Sequence, residues 1–444
     1  MTKNTFIIGF MLFAIFFGAG NLIFPPKLGF ETGTAFLPSI SGFVLTGVGL
    51  PLLGIIVSAF YRGGYIVALR QIHPWFSVLF LVSISLAVGP FFAGPRTGAM
   101  SYEMVMIPFL KEADSLSQLL FTFVYFMLSL WLSLNPSKMV ERIGSILTPV
   151  LLLAIIALVV KAGIMLVGKT PLPMPTVASH TDFFNGAING YLTMDALASI
   201  AFSTMVLGAI KSSAVKTVSL QKQTIFAAII AGIALALIYI SLGWVGNHLM
   251  ISPDVLAQLQ QNKQDLGTYI LNQVTTMAFG ELGRMVLNII VSLACLTTAV
   301  GLCASVSSYF HQQFPQFSYR TYAILFCLIS FVIANLGLKE VIGLSLPVLM
   351  ILYPITITVI LLLLLNLFLP MPILAHRLAI GLVTLVSILS VLGSGKIDFL
   401  EQLPLKPYSI EWLPFALVGL VAGYLLRWRK RQGILSIIQE SKVK

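Results

Sequence analysis

Four stretches of this 444-residue chain place polar or ionisable groups in apolar surroundings. One is Asn189-Gly190-Tyr191-Leu192-Thr193-Met194-Asp195-Ala196-Leu197-Ala198-Ser199, a carboxylate flanked by hydroxyls and a glycine. A second is Gly18-Ala19-Gly20-Asn21-Leu22-Ile23-Phe24-Pro25-Pro26, where two glycines and an asparagine weaken any helix that contains them. A helix interrupted at such a place turns bare peptide groups towards the gap. The half that starts after the gap aims free N–H groups and a positive dipole end at it, which suits a carboxylate. The half that ends before the gap offers free carbonyls, which suit a small cation such as sodium. The third stretch is Ala294-Cys295-Leu296-Thr297-Thr298, which sets a carbonyl and two hydroxyls, at i, i+3 and i+4, on one helical face. Hard cations take oxygen ligands of this kind, whereas the plain alternative is two hydroxyls bonded back to their own helix. The fourth is Arg96 with Glu103, seven residues apart on one face, readable as a buried ion pair that locks its segment or as an outer gate.

What must position these groups is a set of membrane helices. Hydrophobic residues make up 58% of the chain and charged ones 9%, with a mean hydropathy of +0.98. Soluble proteins are about one quarter charged, so the composition excludes an ordinary soluble enzyme, a disordered chain and a disulfide scaffold. Crossing the hydrocarbon takes about 20 apolar residues. Runs of that kind are predicted at 6–24, 36–60, 75–100, 117–134, 143–167, 186–210, 225–246, 285–310, 320–336, 341–368, 373–393 and 412–428, an all-α integral membrane protein of about twelve helices. Regular β alternation is absent, which argues against an outer-membrane barrel. The longest polar stretch, 247–284, reads as a loop rich in Gln and Asn with room for a short helix. The first run has no small-residue cleavage site and reads as a retained segment.

Twelve crossings put both termini on one side. If that side is cytoplasmic, sixteen of the 26 Lys and Arg fall inside and nine outside, with Arg96 in or near the membrane. The inner excess, including the tail Arg427, Arg429, Lys430 and Arg431, predicts cytoplasmic termini. It also accounts for the net charge of +11 without a nucleic acid partner. The acids Glu112, Asp114, Asp182, Asp254, Asp265 and Glu281 lean outward but contribute little to orientation. Three cysteines without ligand spacing read as small core residues, and five scattered histidines as interface residues. Within a span, Asp195 points to function by default: amine binding, a share in a cation site, or carriage of a proton. Its structural alternatives are pairing with Arg96 and a place nearer the outer surface. For Gly18 and Gly20 the alternative is helix packing through small residues. Two breaks at matching places in two halves of a chain point to a transport site near the bilayer midplane.

The motifs GAGNLIFPP at 18–26, GPFFAGPRTGAMSYE at 89–103, NGYLTMDALASIAF at 189–202 and LPVLMILYP at 346–354 make the chain resemble the bacterial branched-chain amino acid carriers of the BrnQ (LIVCS) family. The stretch from Gly18 through Gly33-Thr34-Ala35-Phe36 to Gly49-Leu50-Pro51 is also similar to the first two helices of LeuT-fold transporters. That resemblance implies two inverted five-helix repeats, at 1–170 and 171–370, with two further helices and a basic tail at 371–444. It implies a bacterial cell-membrane protein that imports leucine, isoleucine or valine with sodium, without an organic cofactor and in contact with lipid.

For a zwitterionic substrate, the N–H groups of Ala19, Gly20 and Asn21 are candidates for the carboxylate. Carbonyls near Ala14 to Phe17 and near Thr193 to Leu197, with the Asp195 carboxylate, are candidates for the ammonium. Phe91, Phe92, Met194 and Ile200 are candidates for an apolar wall, with ordinary packing as the alternative for each. By the resemblance, sodium sits between the first and eighth helices on the carbonyls of Ala14, Phe17 and Ala294 and the hydroxyls of Thr297 and Thr298. Pro347 and Pro354 are expected to kink the tenth helix or let it rock. An intramembrane enzyme would need a metal or nucleophile set, and neither H-E-x-x-H nor a Cys/His cluster occurs. A channel would usually need several subunits around a pore. The same fold driven by protons, or carrying another amino acid, stays open through Asp195.

Overall fold

The computed structural model describes residues 3–110, 115–134, 138–169, 181–213, 219–393 and 397–427. Lys111, Glu112, Asp114, His180, Lys216, Lys396 and the tail residues Arg429, Lys430, Arg431, Lys442 and Lys444 lie outside these ranges. The described chain is mostly helical and forms no strand among the described residues.

The first predicted run is a broken pair, α1 (Lys3–Phe16) and α2 (Ala19–Thr32). The second joins α3 (Phe36–Val44) through a π-helical turn at Leu45–Gly49 to α4 (Leu50–Phe60). A short α5 (Gly64–Ile72) leads to α6 (Pro74–Leu86), a π-helical turn at Ala87–Phe91 and α7 (Ala93–Val105), the third run. After α8 (Ile107–Leu110) come α9 (Ser115–Leu134) and α10 (Lys138–Leu166). The sixth run is α11 (Asp182–Tyr191), α12 (Asp195–Ala201) and α13 (Ser203–Ser213). Then follow α14 (Leu220–His248), α15 (Pro253–Gln261), α16 (Leu266–Gln313), α17 (Tyr319–Ala334), α18 (Leu338–Phe368), α19 (Ile373–Leu392), α20 (Asp398–Glu401) and α21 (Trp412–Arg427). Among the described residues eight helices are long and apolar enough to cross a membrane. Three shorter apolar ones, Thr5–Phe16, Tyr319–Ala334 and Trp412–Leu426, fall in the first, ninth and twelfth predicted runs.

Three local expectations change. The first run does not stop at residue 24; α2 continues through Pro25-Pro26 to Thr32. There Asn247 of α14 donates to the carbonyls of Gly29 at 2.9 Å and Gly33 at 2.7 Å, so the helix end is held by side-chain hydrogen bonds. The polar stretch 247–284 is not mainly loop. It holds α15 and the first limb of α16, which parts from the membrane limb at Gly280, φ +69°. The third run, expected to be continuous, leaves helical geometry at Gly89 (φ −87°, ψ −110°) and at Phe92. Gly89-Pro90 was the signal for it: proline removes a donor, and glycine is weakly held in a helix. In the tenth run, by contrast, the helix continues through Pro347 and Pro354 without interruption.

Polarity is arranged inside out. Phe123, Trp131, Leu328 and Val332 are exposed, as lipid-facing residues are, while Asn21, Arg96, Glu103 and Asp195 are buried. Helix packing is glycine-based where it sets the sixth run against the second. Gly186 and Gly190 of α11 face Ser39, Phe43 and Thr46, so that a Cβ on Gly186 would collide with the Ser39 carbonyl. The Thr46 hydroxyl donates to the Ala187 carbonyl at 2.7 Å across the same seam. A Gly186→Val variant is therefore expected to lose folded protein, since overpacking costs about 1–3 kcal/mol even where side chains can yield, and here backbone must. Gel filtration of the detergent extract measures this; a normal yield of a monodisperse variant would show that the seam is loose.

Candidate binding site between two broken helices

The first break lies at Phe17-Gly18. Gly18 is extended (φ −110°, ψ −170°), its N–H donates back to the Phe16 carbonyl at 3.1 Å, and the Asn21 N–H reaches the Gly18 carbonyl at 3.2 Å. Ala19 and Gly20 then open α2, so their N–H groups have no carbonyl one turn back to bond. The second break spans Leu192–Met194. Met194 takes a left-handed conformation (φ 65°), uncommon outside glycine, and the helix restarts at Asp195.

The two breaks meet. The Asn21 side-chain amide donates to the Asp195 carboxylate at 2.9 Å and also to the Phe16 carbonyl, so one side chain ties α1, α2 and α12 together. Beside it is a cavity of about 90 Å³ lined by Phe16, Gly18, Ala19, Gly20, Asn21, Arg96, Thr97, Thr193, Met194, Asp195 and Thr298, with an apolar wall of Ile15, Val88, Ala93, Ala198, Phe202, Val206 and Leu302. Backbone donors, a carboxylate, a guanidinium and an aliphatic-aromatic wall thus face one small space, an arrangement that can hold a small zwitterion with an apolar side chain.

Of the residues singled out for substrate, Ala19, Gly20, Asn21, Met194 and Asp195 line this cavity. Ile200 does not: it is 1% exposed and packed in the core. The cavity face of the sixth run is Asp195, Ala198 and Phe202, spaced i, i+3 and i+7, and a residue at i+5 turns away from it. Phe91 and Phe92 are also off the wall; Phe91 is 38% exposed and Phe92 packs on the neighbouring apolar cluster. The turn at Gly89 rotates them out and presents Val88 and Ala93 instead. The i+3 and i+7 spacing from Asp195 is the signal that would have found Ala198 and Phe202. Nothing local in sequence marks Leu302 or Val206.

Among the ion-site candidates, Thr298 lines the cavity, and its methyl carbon is 4.0 Å from where a Cβ on Gly18 would stand. The eighth run therefore abuts the first break. The Thr297 and Thr298 hydroxyls both donate to the Ala294 carbonyl, at 2.9 and 3.0 Å. Their lone pairs stay free to accept a cation, while that carbonyl is the most engaged of the five groups. Ala14 and Phe17 flank the end of α1. Thr297, Ala294, Ala14 and Phe17 are not part of the cavity lining.

Arg96 and Glu103 do not pair with each other, and no ion pair among the described residues joins Arg96 to Asp195. Seven residues separate Arg96 and Glu103 by about 10 Å along the axis, so sharing a face does not bring them together. Glu103 instead accepts from the Thr268 hydroxyl at 2.5 Å and the Asp265 N–H at 3.2 Å, with Lys27 3.7 Å from Asp265.

A family model described as branched-chain amino acid transport protein matches residues 1–430. The chain belongs to that family. Relatives named as branched-chain amino acid carrier proteins include one from Staphylococcus saprophyticus, 50% identical over 96% of this chain and 97% of its own length. Another, from Staphylococcus aureus strain USA300, is 47% identical over 99% and 100%. Among solved structures, inward-facing Mhp1 superposes with a TM-score of 0.63 at 12% identity, over 98% of this chain and 92% of that one. MhsT in complex with L-phenylalanine gives 0.56 at 18% identity, over 94% and 98%. At such identities the likeness is one of fold: the LeuT-type transporter fold. This branched-chain amino acid transporter family member is a membrane protein of transporter, not enzyme, architecture.

Proposed function

We propose that the chain is a sodium-coupled symporter that imports leucine, isoleucine and valine across the bacterial cell membrane by alternating access, with both termini in the cytoplasm. The observation that carries the reading is the Asn21–Asp195 hydrogen bond, which brings the two helix breaks to one cavity. In this reading the free N–H groups of Ala19 and Gly20 receive the carboxylate, and Asp195, which keeps 8% of its surface open, receives the ammonium. Phe202, Val206, Leu302 and Val88 receive the branched side chain. Sodium lies between the end of α1 and the Thr297 and Thr298 hydroxyls, whose oxygens suit a hard cation. The ion drives uptake only if it binds the outward-open state more tightly than the inward-open one.

Proton coupling is the second reading. One observation favours it: the Asp195 carboxylate accepts from the neutral Asn21 amide and forms no salt bridge with Arg96 or any other cation among the described residues. Uptake of labelled leucine into proteoliposomes, under a sodium gradient at fixed pH and then under a proton gradient without sodium, separates the two. We expect uptake with sodium alone, competed by isoleucine and valine. Replacing Thr297 and Thr298 together by Val should raise the sodium concentration for half-maximal uptake about tenfold, the effect of about 1.4 kcal/mol. An unchanged sodium curve removes both hydroxyls from the ion site, and uptake driven by protons alone replaces sodium altogether.

A further inference from the structure

Arg96 is the least satisfied charged group in the cavity wall. It is 2% exposed. Its Nη1 donates to the Leu192 carbonyl at the second break, at 2.6 Å. Its guanidinium carbon stands 5.1 Å from the Phe24 ring centroid in α2. Nε and Nη2 are buried without a hydrogen-bond partner. These two nitrogens form one edge of the planar group, the edge that takes both oxygens of a carboxylate in a fork. A guanidinium held in a water-poor interior with that edge empty is costly unless an anion completes it.

Among the described residues no carboxylate does so. Asp195 lines the same cavity but bonds Asn21, and Glu103 is engaged by Thr268 and Asp265. The cavity therefore carries one positive and one negative group that are not paired with each other. An α-amino acid, with carboxylate and ammonium on a single carbon, complements that separation. Gly20 leaves room for the guanidinium itself, since a Cβ there would stand 3.2 Å from the Arg96 Nη1.

We propose that Arg96 is a substrate ligand, gripping the carboxylate of the transported amino acid through its free Nε–Nη2 edge while Asp195 holds the ammonium. The inference rests on the reading of this cavity as the amino acid site. It adds a specificity rule to that reading: the site selects ligands with a free carboxylate and rejects the same side chain on an amino alcohol.

The test is binding of labelled leucine to purified protein, with leucinol as the carboxylate-free competitor. In the unsubstituted protein leucine should bind much more tightly than leucinol. In Arg96→Gln leucine should weaken about 100-fold, as expected for loss of a bidentate charged pair, while leucinol shifts by less than about threefold. Arg96→Lys keeps the charge and loses the fork, so leucine should weaken about tenfold with leucinol unmoved. If Arg96→Gln does not insert, the leucine-to-leucinol ratio in Arg96→Lys decides. Equal weakening of both ligands would make Arg96 a structural residue and overturn the proposal, as would unchanged leucine affinity. Absence of leucine binding by the unsubstituted protein would sink the amino acid reading itself, a result distinct from either.

Discussion

Asp195→Ala is expected to lower leucine uptake into proteoliposomes by about 100-fold or more, because a charged hydrogen bond and the substrate's ionic partner are lost together, each a matter of about 1.5–3 kcal/mol. Asp195 stands at the first turn of α12, opposite the break in the first run, and Asn21 is its partner at 2.9 Å. Removing it takes away the group that faces the ammonium and the clasp between α2 and α12. Membrane insertion should be normal, because an alanine in an apolar span is less costly than a carboxylate. Asp195→Asn sharpens the result. It keeps the volume and a hydrogen-bonding tip for Asn21 but never carries charge. A variant that binds leucine weakly and does not transport it assigns the charge to the amine or the ion. Full uptake by a well-expressed Asp195→Ala would remove this residue from the site.

Gly20→Leu is expected to abolish leucine binding at concentrations that saturate the unsubstituted protein. A Cβ alone at Gly20 would stand 3.0 Å from Phe24 Cε2 and 3.2 Å from Arg96 Nη1, tighter than ordinary contact. The rest of a leucine side chain would enter the cavity that Gly20 lines, the space the ligand itself needs. Gly20→Ala should be milder, since both neighbours are side chains that can shift by a few tenths of an ångström. Binding measured on purified protein, alongside gel filtration to exclude misfolding, reads both. Normal leucine affinity in Gly20→Leu would mean that substrate lies elsewhere along the first run.

Much of this was legible residue by residue. Gly18, Gly20 and Asn21 foretold the first break because glycine and asparagine are poor helix formers wherever they stand. Asp195 stood out because a carboxylate in an apolar run has few benign explanations. The second break was harder to place. It falls at Leu192–Met194, and a left-handed Met194 has no signature in sequence. That Phe91, Phe92 and Ile200 lie off the cavity lining could not be read from the chain, because an apolar residue near a break carries no mark of the side it faces. Helical spacing sets Arg96 and Glu103 on one face and leaves their partners open; the structure gives each a partner outside that helix, Leu192 for Arg96 and Thr268 for Glu103.

The division follows from the range of the forces concerned. Hydropathy, helix-breaking residues and charge bias are properties of a few consecutive residues, so the membrane class, the spans and the first point of parting could be read from the order of amino acids. Which side chains share a cavity depends on the rotation and depth of one helix against another. Those are set by seams such as Gly186 on Ser39 and Gly29 on Gly243, between residues more than a hundred positions apart. Only that packing brought Arg96, Asn21, Asp195 and Thr298 around one space, and it did so because glycine lets backbones approach until the groups between them must meet.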